Sequence, residues 1–338
     1  AMSGFTTTGA TLVTDVDALD HSLQVWRQLM QWLGGLGIIV LALAVLPRLR
    51  IGGRQLLESE LPGPEVDQLG ERIRRTVQRI WILYVALTAA EALVLAVLGW
   101  SGLDEEMSPY EAIAHALTTI PTGGFSTENR SVEAFGAATQ WTLVVFMVLA
   151  GMNFALLWRV VVRGQVRAAA RDEELRLYLA LLAAAAAVLV AELATERLAG
   201  SEEPARHGIF QAVSLLTGTG YASVDFGGWT TLGLMTLVVL MFVGGAAGST
   251  TGSIKVLRHL LLGRVLAREL RQTVHPELVV PVRLNGAVVD ERTLRALTSF
   301  ILLYVVTFIA GAAVISIDAA FQGPSLVAVD AVSAAAAT

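Results

Sequence analysis

Three short runs of threonine and glycine recur along the chain: Thr6-Thr7-Thr8-Gly9-Ala10, Pro121-Thr122-Gly123-Gly124-Phe125 and Thr217-Gly218-Thr219-Gly220-Tyr221. Their chemistry is that of the backbone. Glycine accepts φ values that other residues refuse, so such a run can turn its carbonyl oxygens inward. Rings of backbone carbonyls replace the hydration shell of a potassium ion in a selectivity filter. One run alone reads equally well as a tight turn. Three at equivalent positions read as three quarters of one ion filter.

The elements that position these runs follow from composition. Hydrophobic residues make up 54% of the 338 residues and charged residues 16%, with a mean hydropathy of +0.63. A soluble domain carries about 25% charge. Several apolar runs reach the ~20 residues that span a bilayer. The chain has no cysteine, which excludes a disulfide framework and a thiolate metal site. No signal peptide is visible. The first residues fall inside a motif and the last inside an alanine-rich apolar segment, so the sequence reads as lacking both ends of a longer protein.

Spans are expected at residues 22–47, 76–100, 139–162, 175–196, 229–262 and 293–317. Arginine clusters at Arg48–Arg79, Arg159–Arg171 and Lys255–Arg271 mark inner ends, and acidic loops such as Asp104-Glu105-Glu106 mark outer ends. Ser108-Pro109-Tyr110-Glu111 has the capping pattern of a helix start. That helix runs only to Ile120, too short to cross, and a second half-helix covers residues 205–216. Half-helices followed by irregular backbone are re-entrant loops, tolerated at membrane depth where they line a cavity or are buried in protein. Their C-terminal ends favour a cation. The unit of span, half-helix, Thr/Gly run and return span recurs roughly every 100 residues, which means one architecture copied in tandem. A fourth unit starts with the 293–317 span and a half-helix from Pro324.

Within the third return span, Gly244-Gly245-Ala246-Ala247-Gly248-Ser249-Thr250-Thr251-Gly252-Ser253 carries four glycines, enough to break a helix. A non-helical stretch at that depth lines a water-filled path or packs as a kink. Lys255 beyond it is a positive plug or an inner-end anchor. Gly252-Ser253-Ile254-Lys255 lacks the adjacent Gly-Lys of a phosphate-binding loop. Asn153 faces a cavity or bonds across helices. Glu91 and Glu192 are functional candidates or packing partners within the membrane, and His115 is a hydrogen-bonded core residue.

The stretches Ser3-Gly4-Phe5-Thr6-Thr7-Thr8-Gly9, Trp32-Leu33-Gly34-Gly35-Leu36-Gly37, Thr118–Thr127, Ala150-Gly151-Met152-Asn153-Phe154, Gly244–Lys255 and His275–Gly286 together resemble the Trk/Ktr/HKT superfamily of potassium transporters, most closely its bacterial TrkH-type subunit. The resemblance runs from end to end. It implies an all-α polytopic membrane protein of tandem helix–pore-loop–helix repeats around a central pore. The first repeat would cover 1–47, the second 48–162 and the third 163–263, with a connector and partial fourth repeat in 264–338. It implies potassium-binding carbonyls at Thr7, Thr8 and Gly9, at Pro121, Thr122 and Gly123, and at Gly218, Thr219 and Gly220. Gly9 in place of serine implies potassium over sodium.

It further implies that the loop of Gly244, Gly245, Gly248, Ser249, Thr250, Thr251, Gly252 and Ser253, with Lys255, is a gate. The implied setting is the bacterial inner membrane, with lipid, a second copy of the chain and a cytosolic nucleotide-binding ring (TrkA-like) as partners. Neither a cofactor nor nucleic acid is expected; potassium is the transported substrate. Two alternatives are the channel-like subunit of a potassium-pumping ATPase and an intramembrane serine hydrolase using Ser249 with His259, which needs the two within hydrogen-bond reach.

Overall fold

The computed structural model describes residues 1–11, 13–37, 65–196, 203–322 and 328–337. The expected helix end at Pro47, the arginines Arg48, Arg50 and Arg54, and the half-helix start at Pro324 lie outside them. The described chain is helical apart from one small hairpin, and it divides into two units, Ala1–Gln165 and Val166–Thr338.

The first unit opens with α1 (Met2–Phe5) and α2 (His21–Trp32), which runs into a π turn, Leu33–Gly37. Then come α3 (Glu65–Trp100), α4 (Pro109–Thr119), α5 (Ala137–Ala150) and α6 (Phe154–Val161). Helix α4 starts as its sequence prescribes: Ser108 Oγ accepts the Glu111 amide at 3.2 Å, and Pro109 takes the first position. It packs against both α2 and α3. A core of Leu83, Tyr84, Ile120, Phe146, Phe154 and Leu157 joins α3 to the end of α4 and to α5 and α6. Trp32 locks α2 onto α3. Its indole donates to Thr88 Oγ1 at 3.1 Å, its carbonyl accepts the Tyr84 hydroxyl at 2.8 Å, and the two rings lie 5.4 Å apart.

The glycines after Trp32 have a specific use. A Cβ on Gly34 would fall 1.9 Å from the Phe5 carbonyl oxygen, and one on Gly35 would fall 2.5 Å from Pro121 Cβ. The π turn is therefore wedged against the backbone that leads into both Thr/Gly runs of this unit. On the loop side, Asn129 ties the two repeats together: its side-chain amide donates to Asp15 at 2.8 Å and to Asp17 at 2.7 Å. That donation holds the Asp15 carboxyl below the usual carboxylate range. Burial, and then the Asp17 and Glu106 carboxylates, push the neighbouring Glu128 up.

The expected straight span at 139–162 is not one helix. Helices α5 and α6 meet at 108° across Gly151–Asn153. Among the described residues, Asn153 bonds locally and not across helices. It caps α6, its Oδ1 accepting the amides of Ala155 at 2.9 Å and Leu156 at 3.1 Å. A residue that satisfies the open amides of a new helix ends the old one.

The second unit contains α7 (Val166–Arg171), α8 (Glu173–Glu196), α9 (Pro204–Leu216), α10 (Thr231–Val243), α11 (Val256–Val274), β1 (Arg283–Leu284), β2 (Ala287–Val288), α12 (Glu291–Gln322) and α13 (Ala328–Ala337). Helix α9 packs on α8 and α10, burying Phe210, Val213, Leu216 and Tyr221. The two strands pair antiparallel through Asn285-Gly286, both at positive φ (48° and 83°), the residue pair that a tight hairpin demands. Asn285 is pinned to the start of α8: its Oδ1 accepts the Glu173 amide at 3.0 Å and its Nδ2 donates to Asp172 at 2.9 Å. Helices containing Thr76–Trp100, Glu173–Thr195 and Glu291–Asp318 are long and apolar enough to cross a membrane, and the bent α5–α6 pair makes a fourth if counted as one span.

Candidate functional site

Each Thr/Gly run ends its half-helix in the same way. The amides of Thr7, Thr122 and Gly218 bond back three residues, to Gly4, Thr119 and Leu215, at 3.1, 2.8 and 3.1 Å. The next amides, of Thr8, Gly123 and Thr219, bond back five residues, to Ser3, Thr118 and Ser214, at 3.0, 2.9 and 2.9 Å. This is the Schellman stop, which places its C′ residue in the left-handed region. Thr7, Thr122 and Gly218 have φ of 56°, 55° and 67°; two residues on, Gly9, Gly124 and Gly220 have φ of 80°, 71° and 83°.

That repeat of dihedrals fixes the register. Thr122-Gly123-Gly124 corresponds to Thr7-Thr8-Gly9 and to Gly218-Thr219-Gly220. The expectation of Pro121-Thr122-Gly123 is therefore displaced by one residue, with Gly124 and not Gly123 matching Gly9 and Gly220. Two adjacent glycines leave the register open in sequence, and the second left-handed position closes it. Pro121 corresponds instead to Thr6 and Thr217.

Thr7 and Thr122 are β-branched residues at positive φ, which costs about 1–2 kcal/mol each. In both, the hydroxyl donates to the preceding carbonyl at 2.7 Å, Thr7 to Thr6 and Thr122 to Pro121. Among the described residues, no donor occupies the carbonyls of Thr7, Thr8, Gly9, Thr122, Gly124, Gly218, Thr219 or Gly220. Those of Pro121 and Gly123 are engaged, the first by Thr122 and the second by the Gln31 side chain. The free carbonyls can meet a cation.

The segment after each turn is tied back to its half-helix. His115 Nε2 lies 3.1 Å from Ser126 Oγ while its Nδ1 lies 2.9 Å from the Glu111 carbonyl. In the second unit His207 Nδ1 lies 3.0 Å from Ser223 Oγ, and Ser214 Oγ donates to the Tyr221 carbonyl at 2.7 Å. His115 is a bonded core residue, as expected. No group of three or more histidine and acidic side chains fit for a metal occurs among the described residues.

The glycine-rich loop separates α10 from α11 and closes on itself. The Val256 amide donates to the Gly245 carbonyl at 2.9 Å, Ser249 Oγ donates to the Ala246 carbonyl at 2.6 Å, and Ser249 and Thr251 share a hydroxyl bond. Lys255 Nζ turns back onto the Ser249 carbonyl at 3.5 Å, so it braces the loop it follows. From α8, Glu174 accepts the Ala247 amide. Thr251 lies under the third turn, its methyl 3.8 Å from where a Cβ on Gly218 would sit. Ser249 and His259 do not pair: His259 Nδ1 lies 3.2 Å from the Lys255 carbonyl.

The loop glycines are unequal. Gly244 has φ 70° and ψ −178°, a conformation left almost entirely to glycine, and a Cβ there would meet the Gly252 carbonyl oxygen at 2.8 Å. Gly252 has nothing within 4 Å of a Cβ. Gly244→Ala is expected to disorder the loop, while Gly252→Ala leaves it ordered. Limited proteolysis at the loop checks the contrast.

Of the two buried acids, Glu91 is fully enclosed beside Thr119 at the end of α4. Glu192 accepts the hydroxyl of Thr230, the cap of α10, and fills the space a Cβ on Gly233 would need, at 2.8 Å. Each lies where two helices meet. The sequence reading passed over the buried glutamines Gln24, Gln28 and Gln31 on one face of α2. Polar residues at helical spacing in an expected span were the available signal.

Comparison with known proteins decides the family. A family model described as a cation transport protein, TrkH, matches residues 1–338. The chain belongs to the TrkH family. A TrkH relative, the Trk system potassium uptake protein TrkH of Salmonella typhimurium, is 36% identical over 312 residues, 91% of this chain and 63% of that protein. The Escherichia coli potassium uptake protein TrkG is 36% identical over 307 residues, 90% of this chain and 61% of its own length. The crystal structure of the potassium transporter TrkH from Vibrio parahaemolyticus superposes with a TM-score of 0.81 at 32% identity, covering 99% of this chain and 67% of that one. The chain thus spans under two thirds of the curated relatives' length. The TrkH match and the apolar helices make this a membrane protein of the pore-loop class.

Proposed function

We propose that the chain carries the ion path of a potassium uptake protein in the bacterial inner membrane, with the three Thr/Gly turns as filter segments and the Gly244–Ser253 loop as gate. The observation that carries this reading is the repeated turn: one stop geometry, two left-handed residues and unengaged carbonyls, three times over. Backbone carbonyls in fixed positions replace a cation's hydration shell. The relatives' names, all potassium uptake proteins, support the same ion. On this reading the protein is no enzyme and needs no cofactor, works as a dimer, and is moved by a cytosolic nucleotide-binding ring. The ATPase-subunit alternative is disfavoured by the family match, and the hydrolase alternative by the unpaired Ser249 and His259.

Rubidium uptake by potassium-transport-deficient cells expressing the full-length protein with its cytosolic partner tests the reading. Wild type is expected to restore uptake that sodium does not compete for, and Gly220→Ser to lose that preference. Uptake indifferent to Gly220, with the protein present in the membrane, would overturn it.

A further inference from the structure

The second turn is held differently from the other two. In the first and third, a pair of threonine hydroxyls braces the turn from within: Thr6 with Thr8 at 2.7 Å, and Thr217 with Thr219 at 2.8 Å. At the corresponding places the second turn has Pro121 and Gly123, which have no hydroxyl. A side chain from another helix does the bracing. Gln31, fully buried on α2, donates from Nε2 to the Gly123 carbonyl at 2.7 Å and accepts the Phe125 amide on Oε1 at 3.1 Å. The two bonds straddle Gly124, the left-handed residue of this turn. The fit is reciprocal: a Cβ on Gly123 would lie 2.4 Å from Gln31 Cδ, so the glycine is the space into which the amide fits.

We propose that Gln31 is a positioning residue that sets cation discrimination, by clamping the peptides on either side of Gly124 and so fixing the carbonyls of the second filter segment. This rests on the filter reading above. The chemistry requires an amide of this length. A primary amide offers a donor and an acceptor together, whereas a carboxylate would set oxygen against the Gly123 oxygen and a hydrocarbon would leave two buried backbone groups unmet. In a water-poor site such bonds hold more firmly than in water. Selectivity depends on the number and field of the carbonyl dipoles, which the clamp controls. Gln24, two turns earlier on the same face, does a different task. It donates to the Val16 carbonyl at 2.9 Å and, past the turn, to the Thr127 carbonyl at 3.4 Å, and accepts the Tyr110 hydroxyl at 2.7 Å, without touching the peptides beside Gly124.

The test uses full-length protein reconstituted in liposomes, with rubidium and sodium flux measured for wild type, Gln31→Leu, Gln31→Glu, Gln24→Leu and Gly220→Ser. Both Gln31 variants are expected to lower the rubidium-to-sodium flux ratio by about tenfold, the effect of losing roughly one well-made hydrogen bond. Gln24→Leu is expected to lower thermal stability while leaving the ratio intact, which separates positioning from general support. A ratio unchanged in folded Gln31→Leu while Gly220→Ser lowers it would overturn the proposal and leave the filter reading standing. A ratio unchanged in both would overturn the two together.

If Gln31→Leu does not fold, Gly123→Ala alone is compared with Gly123→Ala in a Gln31→Ala background. Recovery of folded protein in the double variant, with a lowered ratio, upholds the clamp; no recovery sinks it.

Discussion

Gly34→Ala is expected to leave almost no folded protein in the membrane. The added carbon would sit 1.9 Å from the Phe5 carbonyl oxygen and 2.7 Å from its carbonyl carbon. Both obstacles are backbone, so no rotamer change relieves them. Extra volume in a close-packed interior costs about 1–3 kcal/mol even where side chains can yield, and here the yielding part would be the half-helix that ends in the first Thr/Gly turn. Moving the π turn away instead would strip Trp32 from Tyr84 and Thr88 and unseat Gly35 from Pro121. Thermal melting by size-exclusion in detergent measures the loss. The control is Gly102→Ala: unlike Gly34, Gly102 has a positive φ of 73°, but nothing lies within 4 Å of a Cβ, so the change carries only local backbone strain. Equal behaviour of the two would refute the wedge.

The second large effect concerns the register of the second turn. On the proposed filter function, Gly124→Ser, Gly9→Ser and Gly220→Ser are all expected to weaken cation preference, because all three glycines hold φ between 71° and 83°. A side chain at such a φ costs about 1–2 kcal/mol, and the peptide relieves the strain by rotating its carbonyl. Gly123→Ser acts by another route, through collision with the Gln31 amide at 2.4 Å, and is expected to lower the yield of folded protein first. Measuring flux ratio and yield for the four variants distinguishes the two routes. Should Gly123→Ser, well folded, mimic Gly220→Ser while Gly124→Ser leaves the ratio alone, the register given above is wrong.

Much of the architecture was legible because the membrane enforces it. Spans such as 76–100 and 175–196 show as long apolar runs with few charges, and Ser108-Pro109 announces its helix start through capping chemistry that acts within four residues. The break at Gly244–Ser253 was visible because four glycines cannot be hidden in a helix. The break at Gly151–Asn153 was not. One glycine and one asparagine inside an apolar stretch are compatible with a continuous helix, and only the acceptance of two amides by the Asn153 side chain shows the helix restarting. The register of the second turn was hidden for a similar reason: Gly123 and Gly124 are chemically identical, and the dihedral that separates them is a tertiary outcome. Gln31 was missed because its partners lie 92 and 94 residues away, beyond the reach of any local pattern. The strain at Thr7 and Thr122 is equally silent, since threonine at a C′ position contradicts ordinary preference.

The corner between α5 and α6 bears on the surrounding lipid. The fourteen residues of α5 rise about 21 Å at 1.5 Å each. The hydrocarbon layer of an ordinary bilayer is about 30 Å thick. After the 108° turn the chain no longer climbs along the axis of α5, so α6 adds nothing to that rise. On the flank where the exposed Trp141 and Val145 of α5 meet lipid, the hydrophobic height is several ångströms short, and adjoining acyl chains would compress or tilt to meet it. The protein should therefore be more stable in vesicles of shorter-chain lipids, and collect such lipids around that flank in a mixed bilayer.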